Sequence, residues 1–151
     1  MFSGCSSLSD LTPLTKWDVS KCTNFTAMFG NCSSLSNIIG LEKWKLSNCH
    51  YLDSMFKGCL SLSDITPLTK WDVSKCTNLD SMFKGCSSLT KRTQLTEWNV
   101  SKCTKFKSMF QGCSSLSDIR GLEKWKSKKP DIDFNEMFYD CFCLFNLNLI
   151  E

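Results

Sequence analysis

The feature that most constrains this chain is an internal sequence repeat. The dipeptide Met-Phe recurs at residues 1, 28, 55, 82, 109 and 137, at a constant interval that lengthens by one residue only at the last step. Residues 1–27 form the first unit, and residues 55–81 are identical to it at 21 of 27 positions. A unit this short cannot bury its own apolar side chains, so it depends on stacking against its neighbours. We therefore predict a single repeat array over residues 1–151.

The apolar positions within each unit indicate the fold class. The first unit contains Leu14-x-x-Trp17-x-Val19-x-x-Cys22, which is the core pattern of a leucine-rich repeat with Trp and Val in the strand positions. The two-residue step from Trp17 to Val19 favours a short strand, whereas residues 23–30 have helix-like spacing before a glycine. We predict an α/β repeat solenoid, a leucine-rich-repeat coil with one short parallel strand per unit and short helical or 3₁₀ turns on the convex side. The pattern returns with the same spacing at Leu41, Trp44, Leu46, Cys49, at Leu68, Trp71, Val73, Cys76, and at Leu95, Trp98, Val100, Cys103.

Both ends of the sequence fall inside a unit. Met1 occupies the repeat's own Met position, and Ile150 occupies the position of Leu14. Because solenoids generally need polar capping segments, we expect a fragment of a longer array. The alternative is a short chain in which residues 144–149 act as a cap.

The cysteines also follow the repeat. Ten of the eleven lie in two columns, and free cysteine is a small residue that buries readily, so we predict inward-facing thiols. Parallel side chains in a stack would hold the Cβ atoms too far apart for disulfides. Zinc sites need converging ligands, and the chain's one close pair is Cys141-x-Cys143. We therefore predict neither a metal nor another cofactor. The columns are Cys5, Cys32, Cys59, Cys86, Cys113, Cys141 and Cys22, Cys49, Cys76, Cys103.

Composition and residue inventory bear on the class of function. The sole histidine, His50, is replaced by Thr in the next two units, so we predict that the chain is not an enzyme. The formal charge is +3 with lysines spread along the chain, which requires no nucleic-acid partner. No apolar run approaches the ~18 residues of a membrane span. The Trp column could form a stacking platform, but its inward positions favour core packing.

Binding is predicted at the strand residues that lie between the inward ones. In a leucine-rich-repeat coil these residues would be exposed on a concave sheet, and here their charge varies between units while the framework stays constant. Such variation could encode a protein partner, although a merely solvated face would show the same pattern. The predicted partner-binding residues are Lys16, Asp18, Lys43, Lys45, Lys70, Asp72, Glu97, Asn99, Lys124 and Lys126.

The repeat resembles a known family. The segment Met28-Phe29-Gly30-Asn31-Cys32-Ser33-Ser34-Leu35, together with Trp71-Asp72-Val73-Ser74, is similar to the BspA-like surface leucine-rich repeats and their Met-Phe-x-x-Cys-x-Ser-Leu motif. Cys22, Cys76 and Cys103 stand where that family often has valine, which brings the chain toward the cysteine-containing leucine-rich repeats of ubiquitin-ligase adaptors. The first resemblance implies a non-enzymatic adhesion or protein-interaction module at the cell surface or outside the cell. The second implies an intracellular adaptor scaffold in the cytoplasm.

Overall fold

Short helical turns recur at one position of the repeat. The computed structural model describes residues 1–90, 94–122, 124–125, 130 and 134–145. Proline lies in the first turn of two of these short helices, as Pro13 in Thr12–Lys16 and Pro67 in Thr66–Lys70, where its missing N–H costs no helical hydrogen bond. Among the described residues, the 3₁₀ helices are η1 (Thr12–Lys16), η2 (Leu41–Lys43), η3 (Thr66–Lys70) and η4 (Gln94–Glu97), and the α-helices with described bounds are α1 (Phe134–Met137) and α2 (Phe142–Phe145), each a single turn.

Successive units stack in register through their Met-Phe segments. The amide of Phe29 donates to the carbonyl of Met55 at 2.9 Å, and the amide of Phe56 donates in the same way to Met82 at 2.9 Å. Every second amide of the segment makes such a bond, while the amides between them close turns within the unit, as Gly30 does to Ala27. Each unit is therefore fixed one chain turn above the previous unit.

The alternation in the Met-Phe segment depends on residues with left-handed backbone conformation. The residue before Met28, Met55, Met82 and Met109 adopts it, and so does the third residue after every Met. The second of these positions is mostly glycine, which reaches positive φ without steric cost, and Asn31 takes it at φ 60. The non-glycine residues with positive φ are Ala27, Asn31, Ser54, Ser81, Ser108 and Asp140, and the matching glycines are Gly4, Gly58, Gly85 and Gly112.

The predicted α/β class with one parallel strand per unit is wrong. Among the described residues there is no named β-strand, and the pairing amounts to isolated parallel bridges that link Asn24 to Tyr51, Tyr51 to Asn78, Asn78 to Lys105 and Asn37 to Asp64.

Local hydrogen bonds explain the absence of a strand at Trp17–Val19. The amide of Ser20 bonds to the Asp18 carboxylate at 3.0 Å, and the amide of Cys22 bonds to the carbonyl of Val19 at 2.9 Å. Donors used within the unit cannot pair with the next unit. The predicted helical position was also wrong, because the 3₁₀ turns precede the Trp and residues 23–30 make the contacts between units.

Aromatic rings fill the centre of the stack. One phenylalanine from each unit stacks on the next, with ring centroids 5.4 to 5.8 Å apart and interplanar angles of 4° to 14°. Such stacked pairs contribute beyond the burial of their area. The column consists of Phe2, Phe29, Phe56, Phe83, Phe110 and Phe138, of which Phe2 is half-buried and the others are buried.

The tryptophans join neighbouring units by hydrogen bonds. The indole N–H of Trp71 donates to the carbonyl of Leu41 at 2.7 Å, and Trp44 and Trp98 make the same bond to the preceding unit at 3.0 Å. Trp125 is also fully buried, but its indole N–H has no partner among the described residues. Core packing is thus confirmed for these four tryptophans, whereas Trp17 in the first unit is 40% exposed.

Both cysteine columns consist of free thiols, and eight of their ten members are buried, which confirms the packing prediction for these eight. Cys5 and Cys22, both in the first unit, are exposed. The thiol of Cys59 donates to the carbonyl of Phe29 at 3.1 Å, and that of Cys86 donates to Phe56 at 3.2 Å. Burial raises the pKa of Cys49 and of Cys59 to about 12, which keeps both thiols protonated at neutral pH. Each buried thiol therefore serves as a small, protonated core group.

Candidate binding surface

A band of exposed polar residues runs along the stack just after each 3₁₀ helix. We call this band the lysine face. Buried and exposed residues alternate along this part of each unit. In the second unit Trp44 and Leu46 are buried, so Lys43 and Lys45 project outward. The lysine face comprises Lys16, Asp18, Lys21, Lys43, Lys45, Asn48, Lys70, Asp72, Lys75, Glu97, Asn99, Lys102 and Lys124, all of which are exposed.

Contacts between units show that the lysine face is one continuous surface. Lys124 Nζ lies 3.2 Å from Glu97 Oε1, which is one unit earlier in the repeat register. Lys75 Nζ donates to Asn48 Oδ1 at 2.9 Å across the same interval of 27 residues. Side chains at equivalent positions in adjacent units are therefore direct neighbours.

Two of the three carboxylates on the lysine face are engaged in the backbone of their own unit. Asp18 and Asp72 each accept a hydrogen bond at 3.0 Å from the amide two residues later. Hydrogen bonds from Ser20 and Ser74 hold the pKa of these two carboxyls below the usual value. Both aspartates thus stay ionised at lower pH than an aspartate without such hydrogen bonds.

A row of three lysines in register is the most unusual part of the face. Lys16, Lys43 and Lys70 occupy the last residue of η1, η2 and η3, and within the described part of the chain none of them forms an ion pair. The equivalent position in the next two units holds the oppositely charged pair Glu97 and Lys124. Like charges on adjacent positions repel each other, so we expect the row to be a local cost to the free protein.

The lysine face concentrates the positive charge of the molecule. It holds eight lysines and three carboxylates, a surplus of five, whereas the whole chain has a formal charge of +3. The remainder of the chain therefore has a net charge of −2. These lysines are far apart in the sequence, but they form one positive surface because stacking of the units places equivalent positions of the repeat next to each other.

The structure brings together nine of the ten predicted binding residues, and Lys126 lies outside the described residues. Their expected setting, the concave face of a parallel sheet, was wrong because no strand forms there among the residues described. Sequence reasoning missed Lys21, Lys75 and Lys102, which extend the same face. The sequence could have indicated that they belong to this face, because these lysines occupy the same position of the repeat in the first, third and fourth units.

No helix among the described residues is long and apolar enough to cross a bilayer. The same residues contain no group of three or more His, Cys, Asp or Glu side chains arranged to hold a metal ion.

Comparison with known proteins gives one family. The sequence profile described as "Mycoplasma protein of unknown function, DUF285" matches residues 1–125 and, in an overlapping second match, residues 60–150. The overlap shows that the profile aligns with the repeat array more than once. No curated protein and no solved structure matches the chain.

Proposed function

We propose that this chain, which belongs to the Mycoplasma DUF285 family, is a non-enzymatic adhesion module that attaches to its partner through the lysine face. The observation that carries the proposal is the row formed by Lys16, Lys43 and Lys70. These ammonium groups are exposed, adjacent in register and without an ion pair among the described residues. A negatively charged partner would remove the repulsion between them.

Different residues of the repeat supply its stability and its exposed surface, and this separation supports the proposed function. Stability comes from buried columns of Phe, Trp and Cys, so substitutions on the lysine face leave the packing unchanged. A surface setting is supported by the Met-Phe-x-x-Cys-x-Ser-Leu motif and its resemblance to BspA-like surface repeats. Protease treatment of intact cells that express the protein tests this setting: a surface protein is cleaved, whereas an internal one is protected.

Charge reversal tests the binding surface. The triple variant Lys16→Glu, Lys43→Glu, Lys70→Glu should reduce the attachment of protein-coated beads to cultured epithelial cells at least tenfold without lowering Tm. The matched control is Lys57→Glu, Lys84→Glu, Lys105→Glu, which changes the net charge equally outside the lysine face. Equal attachment by wild type and the first variant would refute the proposal, as would equal losses in both variants.

An intracellular adaptor is the second candidate, and the free cysteines favour it. All eleven cysteines are unpaired, which suits a reducing compartment. This candidate predicts protection from external protease together with recovery of a specific protein partner from cytosol. Loss of that partner in the Lys→Glu triple variant would show that the adaptor uses the same face.

A further inference from the structure

We infer that a cavity beside the last two Met-Phe segments binds an uncharged pyranose, either free or as the terminal sugar of a glycan. The cavity has a volume of about 340 Å³, and its described lining residues are Ser108, Gln111, Glu136 and Tyr139. Pockets for small molecules have volumes of about 300–1,000 Å³, so this cavity suits a ligand of one ring. None of the four residues belongs to the lysine face, and the inference goes beyond the proposed function.

Backbone hydrogen bonds hold the lining residues in place. The amide of Gly112 donates to the carbonyl of Tyr139 at 2.9 Å, which joins the two Met-Phe segments next to the cavity. The amide of Gln111 donates to the carbonyl of Ser108 at 3.1 Å and closes a turn. Because these main-chain amides are engaged, recognition of a ligand depends on the side chains.

The cavity lies where the repeat departs from its own pattern. The second residue after Met is lysine in two earlier segments, as Lys57 and Lys84, but it is Gln111 and Tyr139 in the last two. The residue before Met is serine in three consecutive segments and becomes Glu136 before the last Met. The buried Met and Phe themselves follow the pattern in both segments. Departures that avoid the core and meet at one cavity indicate a binding site rather than a packing requirement.

The charged groups at the cavity form a pair. Lys107 Nζ lies 3.0 Å from Glu136 Oε1, so the pair contributes no net charge. An anion would be attracted by one member of the pair and repelled by the other, and the same holds for a cation. A carboxylate has about four acceptor sites, so Glu136 can accept a hydrogen bond from a hydroxyl group while it keeps its ion pair. The pair therefore favours an uncharged ligand that carries hydroxyl groups.

The remaining lining side chains also suit a sugar ring. The Gln111 amide and the Ser108 hydroxyl can each donate and accept hydrogen bonds. Tyr139 is 59% exposed, and its ring combines a flat apolar face with a polar hydroxyl at one end. A pyranose has the complementary composition, because it carries C–H groups on its faces and hydroxyl groups around its rim.

Other ligand classes fit the cavity less well. An apolar molecule would cover carboxylate, amide and hydroxyl groups without giving them hydrogen bonds, which is costly. An extended peptide binds mainly through the main chain of an exposed edge, but the amides of Gln111 and Gly112 are already engaged here. A pyranose satisfies the polar side chains and contacts the Tyr139 ring at the same time.

Titration of the ¹⁵N-labelled protein with methyl β-galactoside, methyl β-glucoside and methyl α-mannoside tests the inference. At least one of them should shift the NMR signals of the Gln111, Gly112 and Tyr139 amides, with a Kd of about 1–10 mM for a ligand of this size. Because the ligand is uncharged, the Kd should change less than twofold between low salt and about 0.5 M NaCl. If none of the three glycosides shifts these signals at about tenfold higher concentration, the inference is wrong.

Variants that restore the usual residue of the repeat provide the second test. Tyr139→Lys and Glu136→Ser should each weaken binding of the glycoside at least fivefold, and Tyr139→Phe, which keeps the ring, should weaken it less than Tyr139→Lys. Earlier segments carry lysine and serine at these positions, so we expect both variants to fold, which thermal unfolding checks. The matched control is Lys84→Ala, which changes the position equivalent to Tyr139 and should leave the Kd within twofold.

Three outcomes would overturn the inference. The first is wild-type affinity in both Tyr139→Lys and Glu136→Ser, and the second is an equal loss in Lys84→Ala. The third is tighter binding of galacturonate, of galactosamine or of a blocked dipeptide than of every methyl glycoside, because the site would then select a charged or a peptide ligand. The attachment assay with the Lys→Glu triple variant does not involve this cavity, so the proposed function and the sugar site can fail separately.

Discussion

Replacement of Phe56 by alanine should show how strongly the stack depends on its aromatic column. Phe56 is fully buried and stacks on Phe29 at 5.7 Å and on Phe83 at 5.8 Å. Truncation of a buried Phe costs about 3–5 kcal/mol, and each lost ring pair adds about 0.5–1.5 kcal/mol. We expect the change to cost about 5 kcal/mol, toward the top of the range for a buried Phe, because both neighbours in the column lose their partner.

Phe2→Ala is the matched control, since Phe2 occupies the same repeat position. It is half-buried and has one stacked neighbour in the column, Phe29 at 5.6 Å. With part of the area already in water, the same truncation should cost about 2 kcal/mol. The contrast between the two variants removes the effect of the side chain itself and measures the combined effect of its burial and of its stacked neighbours.

Urea unfolding followed by circular dichroism and by tryptophan fluorescence provides the measurement. Because Phe56→Ala removes much of a typical domain stability of about 5–15 kcal/mol, Phe56→Leu serves as a milder variant that keeps most of the volume. We expect Phe56→Leu to fall between wild type and Phe56→Ala. Equal free-energy losses for Phe2→Ala and Phe56→Ala would refute the idea that stacking of units supplies the stability.

Three further predictions concern single interactions in the repeat. Ser81→Gly should raise the free energy of unfolding by about 0.5 kcal/mol in urea titrations. The backbone at Ser81 has φ 56, and relief of strain in this left-handed conformation exceeds the cost of the extra entropy that glycine gives to the unfolded chain. A lower free energy of unfolding in the variant would contradict the left-handed conformation at residue 81. The free energy of unfolding should fall as the pH rises from about 9 toward 12. The reason is that the pKa of Cys49 and of Cys59 is about 12 in the folded protein, so both thiols bind their protons more tightly in the folded state than in the unfolded state. A free energy of unfolding that stays constant over this pH range would contradict the burial of these thiols. Trp71→Phe should cost about 0.5–1.5 kcal/mol more than Trp125→Phe. Only the Trp71 change breaks an indole hydrogen bond, the one to the carbonyl of Leu41, which still accepts from the amide of Trp44. Equal costs in thermal unfolding would count against the indole bond.

The sequence predicted the period and the composition of the core well, because both depend on side chains alone. Trp44, Cys59 and Leu68 are buried where the apolar pattern placed them. A constant period also makes equivalent positions neighbours in any stacked arrangement. The outward residues of the lysine face could therefore be predicted without knowledge of the backbone between them.

The backbone of each unit could not be predicted in the same way. A two-residue apolar step is compatible with a strand, but it is equally compatible with a turn that buries the same two side chains. Asp18 and Ser20 favour the turn, because the Asp18 carboxylate accepts a hydrogen bond from the backbone amide of Ser20, and an aspartate bonded in this way stabilises a turn. Asp72 and Ser74 repeat this motif in the third unit. The sequence therefore contained a turn signal, but the prediction of a strand relied on the apolar pattern alone.

The lysine row links stability to function in a way that can be measured without a ligand. Lys43 lies between Lys16 and Lys70 in register, so Lys43→Gln should relieve repulsion and raise Tm at low salt. Glu97→Gln removes the 3.2 Å ion pair with Lys124 and should lower Tm. Both shifts should shrink in 0.5 M NaCl, where the Debye length is about 4 Å.

The direction of the Lys43→Gln shift decides whether the row is available to an anion. A rise in Tm means that the free protein holds three uncompensated charges, which an anionic partner would then neutralise. A fall in Tm at low salt would mean that Lys43 is already stabilised by carboxylates of the protein itself. In that case an external anion would have to compete with them, and the physical basis for binding at the row would be lost.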